Sequence, residues 1–244
     1  IRSLLMISIF LIAAVCFPKS ASAEEHILIT DWVVDAFLIE NGDLQISEDI
    51  TFKFNDKFNG VYRDIVTDGK MTIDNIKVVE VLNDNTKDYT LVREAKKGYK
   101  DVFTTEINDN KIELKIFSPS KNEKKTFRIS YDAKNVAVRY KDTGELYYKF
   151  LGDDNKTTIK KFTVNINLPQ EDNSGKVKVF AHGPEKGDIN KINNSKYELK
   201  IKNIPSKTFI EGRVIFPPEF IATSYNYNNI DRYQEIIDEE IAFR

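Results

Sequence analysis

The sequence predicts a mainly β protein, an antiparallel β-sandwich read as two tandem immunoglobulin-like lobes. Three observations predict it. Apolar and polar residues alternate with period two along most of the chain. Turn-forming clusters of Asn, Asp, Gly, Ser and Pro bound these runs at short intervals. No helical periodicity interrupts them before the C-terminal end, which speaks against βαβ units and a parallel sheet.

The elements follow in order. Residues 27–39 (ILITDWVVDAFLI) are apolar and β-branched, and Asn41-Gly42-Asp43 supplies a hairpin turn because Asn and Gly accept positive φ at low cost. Residues 44–54 then alternate, with Leu44, Ile46, Ile50, Phe52 and Phe54 on one face. The polar member of that inward series is Glu48. Further strands are expected at 72–82, 89–94, 101–107, 111–117 and 125–132, separated by turns that include Ser118-Pro119-Ser120. A second set is expected at 136–140, 145–151, 158–168, 176–181, 196–202 and 208–216. The organisation read from this is a first lobe over 24–134 and a second over 135–222. One continuous sandwich is the alternative, since no Pro- or Ser-rich linker marks a join.

After Pro217-Pro218 the period changes. Ile230, Tyr233, Ile237 and Ile241 fall at three- and four-residue spacing, with Asn229 as N-cap and Asp231 in the first turn. Residues 223–244 are therefore read as a segment ending in a short amphipathic helix.

The leading residues 1–23 read as a secretory signal peptide: Arg2, an apolar run over 4–17, and the small-residue exit Ala21-Ser22-Ala23. The run is short for a bilayer span, which needs about 20 apolar residues. An uncleaved anchor is the alternative, and a lipoprotein reading of Cys16 lacks the small residue before the cysteine. The start at Ile1 and the helix running to Arg244 suggest a piece of a longer protein.

Composition narrows the function. Cys16 is the sole cysteine and lies in the expected leader, so the exported part has no disulfide, thiol nucleophile or thiolate metal site. The formal net charge is −2 with both signs interspersed, which offers no nucleic-acid footprint. His26 and His182 stand far apart with no HExxH pairing, so no zinc site is expected. The acidic loop Asp153-Asp154-Asn155 lacks the remaining spacing of an EF-hand. No G-x-S-x-G elbow accompanies His182. An inward carboxylate needs a cation, and Arg63 or Arg213 is the expected partner of Glu48.

Several segments taken in order resemble the extracytoplasmic domain of the YciQ-like predicted membrane proteins. They are Asn41-Gly42 followed by Glu48, FNGVYRDI (58–65), FRISYDA (127–133), ELYYKFLG (145–152), INLP (166–169), HGP (182–184), EGRVIFPPEF (211–220) and IIDEEIA (236–242). The resemblance implies an exported β domain of unknown function, with the helix in 223–244 juxtamembrane and membrane helices following beyond Arg244. It brings no established catalytic residues.

The function expected is therefore a binding or interaction module on the outer face of the cytoplasmic membrane. It would meet an envelope ligand or protein partner, without catalytic residues, cofactor or metal. Loops carry function in such folds; those at 58–70, 153–157 and 182–194 are the candidates, with Tyr62, Arg63 and His182 as binding residues. Two alternatives stand: an envelope-polymer hydrolase using Glu48 and Asp49 with His182, and a purely structural spacer.

Overall fold

A computed structural model describes residues 26–67, 71–108 and 110–243. The expected signal peptide over 1–23 lies outside the described residues. Among the described residues fourteen strands and one α-helix follow in order: β1 (Ile27–Leu38), β2 (Leu44–Val66), β3 (Thr72–Val81), β4 (Thr86–Leu91), β5 (Val102–Asn108), β6 (Lys111–Lys134) and β7 (Val138–Tyr140). Then come β8 (Gly144–Leu151), β9 (Ile159–Asn167), β10 (Lys178–His182), β11 (Gly187–Lys191), β12 (Lys196–Ile204), β13 (Ile210–Phe216), β14 (Tyr227–Asn228) and α1 (Tyr233–Ala242).

They form two sheets. The first has nine strands in the order β11-β12-β9-β1-β2-β6-β3-β4-β5, with β5 also pairing to β6. The second has five, β10-β13-β8-β7-β14. One hydrophobic core draws on both, from Trp32, Phe52 and Phe127 in the first sheet to Leu146, Phe150 and Val214 in the second. The division into tandem lobes at 134 does not hold. Strands β9, β11 and β12 return to extend the sheet begun by β1, and β9 lies beside β1. That β1–β9 pairing is parallel, from Ile29↔Ile159 to Phe37↔Asn167, so the sheet is mixed rather than antiparallel throughout. Such a pairing joins residues 130 apart in sequence, and no local pattern announces it.

The hairpin turn at Asn41-Gly42 forms as expected, with Gly42 at φ 84° and β1 antiparallel to β2. Two expected breaks are absent. Strand β2 runs on through residues 55–60, and β6 runs through Ser118-Pro119-Ser120. Both strands carry irregularities there instead: the register shifts between Phe54 and Lys57, and again between Phe58 and Gly60. Pro119 is exposed in this irregular stretch, where a missing N–H costs no ladder bond.

These shifts change the phase of burial. Before them the even-numbered residues of β2 face the core (Ile46, Glu48, Ile50, Phe52, Phe54); after them the odd ones do (Val61, Arg63, Ile65). A one-residue insertion moves every following side chain to the other face. Gly60 sits at this point because the backbone of β6 passes against it. A Cβ there would lie 1.9 Å from the carbonyl oxygen of Ile116.

The C-terminal helix is shorter than read, and its buried face differs. Asn229 is not the N-cap. The Asp142 carboxylate accepts the backbone N–H groups of Arg232 (2.8 Å) and Tyr233 (3.2 Å) at the helix start. Ile236 and Glu240 are buried, whereas Ile230 and Ile241 of the expected stripe are exposed.

Candidate functional site

Strand phase brings Glu48 and Arg63 together although they stand an odd number of residues apart. Arg63 Nε donates to Glu48 Oε2 and Arg63 Nη2 to Glu48 Oε1, both at 2.7 Å. The pair is closed off from water, at 1% and 5% exposure. Tyr131 OH donates to Glu48 Oε1 at 2.6 Å and lies 3.3 Å from Tyr148 OH. Arg63 Nη2 also donates to the Phe150 carbonyl at 3.1 Å, and Nη1 to the Asp64 carbonyl. Its guanidinium lies 4.8 Å from the Trp32 ring centre. Burial disfavours the Arg63 charge, but the Glu48 carboxylate outweighs it and holds the guanidinium above its ordinary pKa. Burial and then the Glu48 charge push the Tyr131 hydroxyl well up, so it stays a donor. Contacts to Tyr148 and Phe150 tie this network to the second sheet. Its first role is to join the two sheets.

Arg63 and Trp32 also form part of a second feature. A cleft of about 420 Å³ opens between the sheets. Its apolar wall includes Ile29, Trp32, Ile50, Phe52, Val61 and Leu151. Its mouth is edged by Tyr62, Asp64, Lys111 and residues 152–157. Lys111 spans this edge, donating to Asp64 Oδ2 at 3.0 Å and to Asp154 Oδ2 at 2.6 Å. Those two bonds raise the Lys111 pKa against the opposing effect of burial, and the same contact holds the Asp154 carboxyl below its usual range. Asn155 stiffens the loop by donating from Nδ2 to the Thr157 carbonyl at 2.7 Å. Among the described residues, two buried side-chain atoms have no hydrogen-bond partner: Trp32 Nε1 and Asp64 Oδ1. Both residues line this cleft.

Two of the three loops singled out in the sequence thus reach one place. Tyr62 and Arg63, with 153–157, border the cleft. The stretch around Tyr62 is strand rather than loop, and Tyr62 stands 56% exposed with the Lys115 ammonium 5.1 Å from its ring centre. The loop over 182–194 lies elsewhere; part of it forms β11. Trp32, Ile29 and Leu151 were not singled out, since apolar strand residues read as core.

His182 and Arg213 belong to a separate cluster on the outer face of the second sheet. Successive residues of β8 point to opposite faces: Tyr148 inward to Tyr131, Tyr147 outward to His182 Nδ1 at 3.2 Å. Arg213 is not a partner of Glu48. Its Nε donates to Glu145 Oε1 (2.6 Å), Nη1 to Glu240 Oε1 (2.9 Å) and Nη2 to Glu239 Oε2 (2.7 Å). His182 Nε2 meets Glu240 Oε2 at 2.9 Å, and its ring stacks on Phe243. These contacts hold α1 against the sheet.

The three groups of the hydrolase reading are therefore apart. Glu48 faces the inter-sheet core. Asp49, next to it, points to the opposite face, where Arg128 donates to both its oxygens at 2.6 Å. His182 lies beyond the second sheet, so no acid–base set forms among them. Among the described residues no group of three or more His, Cys, Asp or Glu side chains is placed to hold a metal ion. None of their helices is long and apolar enough to cross a membrane.

Residues 29–216 match a family model described as the predicted membrane protein (DUF2207) N-terminal domain. No curated protein matches the chain. Among solved structures, yeast LTA4 hydrolase in complex with bestatin is 11% identical with a TM-score of 0.46, covering 77% of this chain and 28% of that one. The M1 zinc metallopeptidase from Deinococcus radiodurans is 11% identical with a TM-score of 0.41, covering 78% and 43%. A candidate nutrient binding protein from Legionella pneumophila is 10% identical with a TM-score of 0.43, covering 81% and 70%. The chain spans less than half the length of the first two. At these scores the likenesses carry no argument about activity.

Proposed function

Because this chain belongs to the DUF2207 family of predicted membrane proteins, whose N-terminal domain it matches, we propose that it is the extracytoplasmic interaction module of a membrane protein. It stands on the outer face of the cytoplasmic membrane, joined to the bilayer by segments beyond Arg244, and binds an envelope ligand without catalysing a reaction. Affiliation with the YciQ-like members is part of this reading, on the ordered stretches quoted above. The leader-like residues 1–23 support export.

The observation that carries the binding role is the cleft. Its volume lies within the range of about 300–1,000 Å³ found for small-ligand sites, and an apolar wall with a few convergent polar groups is what such sites present. Gly60, at the bulge, and the stiffened loop over 152–157 pre-form it. The buried ion pair lies against it and fixes both sheets.

Trp32 is the only tryptophan, so its indole N–H gives one proton–nitrogen NMR resonance. Titrating the protein with blocked apolar peptides, muropeptides and short acyl chains tests the reading. At least one class is expected to shift the Trp32 indole resonance with saturation. If all three leave it in place, the cleft is not a binding site.

A further inference from the structure

We propose that α1 is a displaceable plug: its Glu239 and Glu240 fill a carboxylate-binding site built by Arg213 and His182 on the outer face of the second sheet, and an acidic segment of a partner protein takes their place. This surface is separate from the cleft between the sheets and does not depend on it.

The site belongs to the sheet. Arg213 on β13 and His182 at the end of β10 are neighbours through the β10–β13 pairing, Phe180↔Arg213 and His182↔Glu211. Strand residues position both. Glu145 Oε1 accepts from Arg213 Nε at 2.6 Å, and the guanidinium lies 5.1 Å from the Tyr147 ring centre. Tyr147 OH donates to Glu211 Oε2 at 2.8 Å and lies 3.2 Å from His182 Nδ1. The remaining nitrogens of the two residues face α1. They hold Glu240 at both oxygens: Arg213 Nη1 reaches Oε1 and His182 Nε2 reaches Oε2, each at 2.9 Å. Arg213 Nη2 takes Glu239 Oε2 at 2.7 Å. The Phe243 ring stacks on His182 with centres 5.0 Å apart. A guanidinium fork with a further donor beside it suits carboxylates in geometry and in charge. Because Glu145, Tyr147 and Glu211 are strand residues, this arrangement does not need the helix to hold its shape.

The helix docks on charge. A helix that only covers a sheet lays an apolar stripe on it. The buried residues of α1 are Ile236 and Glu240, while Ile241 and Phe243 stand 62% and 72% exposed. Buried ion pairs return little net stability once their desolvation is counted, and a ten-residue helix is marginal in water by itself. Such a contact is selective but readily exchanged. The incoming segment is read from the one it replaces: two adjacent carboxylates and an aromatic ring three residues on, as in Glu239, Glu240 and Phe243.

The probe is the capped peptide YQEIIDEEIAF, which copies residues 233–243, with a second peptide carrying Glu239→Gln and Glu240→Gln. Each is titrated into the whole wild-type protein and into its Glu239→Gln/Glu240→Gln variant, whose sheet keeps the site. In the variant the Ile236 methyl resonance is expected to leave its wild-type position as α1 is released. The acidic peptide is then expected to shift the His182 ring protons and to bind at least about tenfold more tightly than to wild type, where the tethered helix competes at high effective concentration. The Gln peptide is expected to bind at least about tenfold more weakly than the acidic one, the scale of one lost charge-assisted bond. An Ile236 resonance unmoved in the variant overturns the inference, since the carboxylates then do not hold α1. Equal binding of the two peptides overturns it, and so does failure of the acidic peptide to bind a variant that has released α1. Circular dichroism and the Trp32 indole resonance check that the sheets are intact. If the variant does not fold, a large excess of acidic peptide over wild type is expected to displace α1 and move Ile236, and an unmoved resonance there overturns the inference.

Discussion

Removing one partner of the Glu48–Arg63 pair gives a sharp quantitative expectation. In Glu48→Gln the carboxylate charge is lost, and one amide position turns an NH₂ toward an Arg63 N–H. Two bonds between opposite charges at 2.7 Å become at most one bond from the guanidinium to an uncharged amide oxygen, and a guanidinium at 5% exposure loses its counter-charge. An unpaired buried charge of this kind costs about 3–5 kcal/mol. For a chain of this size each kcal/mol lowers the melting temperature by about 2–4 °C, so the loss is about 6–20 °C. Arg63→Gln is expected to cost as much, since it strands Glu48 with Tyr131 as its remaining donor. The double variant Glu48→Gln/Arg63→Gln removes both charges together and is expected to recover part of the loss. The coupling from that double-mutant cycle is expected to be about 2–3 kcal/mol. Urea unfolding followed by Trp32 fluorescence measures all four proteins. Single-variant losses below about 1 kcal/mol, or purely additive effects, would refute the reasoning.

Two further predictions concern the bulge and the helix. Gly60→Ala places a Cβ 1.9 Å from the Ile116 carbonyl oxygen, so β2 and β6 must part. A loss of about 1–3 kcal/mol is expected in the same unfolding assay, and a wild-type midpoint would show that the strands do not approach so closely. For α1, burial tends to raise the Glu239 carboxyl pKa, but bonds from Arg213 and Arg232 outweigh it and leave it below the usual value. A depressed folded-state pKa contributes stability above the unfolded value of about 4.3, and that contribution is lost as pH falls through the lower folded value. The helix is expected to stay docked at neutral pH and to loosen below about pH 4. Methyl resonances of Ile236 and Ile241 report this, and the same positions at pH 7 and pH 3 would contradict it.

Much of the strand content could be read from alternation, and so could the hairpin at Asn41-Gly42. Glu48 stood out because a carboxylate interrupts an apolar face, and Arg63 was named as a partner from residue type alone. Alternation by itself argued against their meeting, since 48 and 63 have opposite parity. What reconciles them is the irregularity between Phe54 and Gly60, which a sequence reader takes for a loop because Asn55, Asp56, Asn59 and Gly60 are turn residues. Ser118-Pro119-Ser120 misled in the same way, and a bulge and a turn use the same chemistry. The parallel β1–β9 pairing carries no local signature, so two lobes were read where the sheets interleave.

The helix was legible as a helix but not in its orientation. The Ile230–Ile241 stripe suggested apolar docking. The side that docks carries Glu239 and Glu240 because Arg213 and His182 wait on the sheet. The cleft was the least legible feature. It is assembled from the start of β1, both phases of β2, the first residues of β6 and the loop after β8, and its wall residues look like ordinary core.

The most direct test of the account is where a bound ligand lies. Intermolecular nuclear Overhauser effects between the protein and the ligand that shifts the Trp32 resonance should reach the Val61, Ile29 and Leu151 side chains and the Trp32 indole. Effects confined to the surface around His182 and Phe243, with none at Trp32, would contradict it.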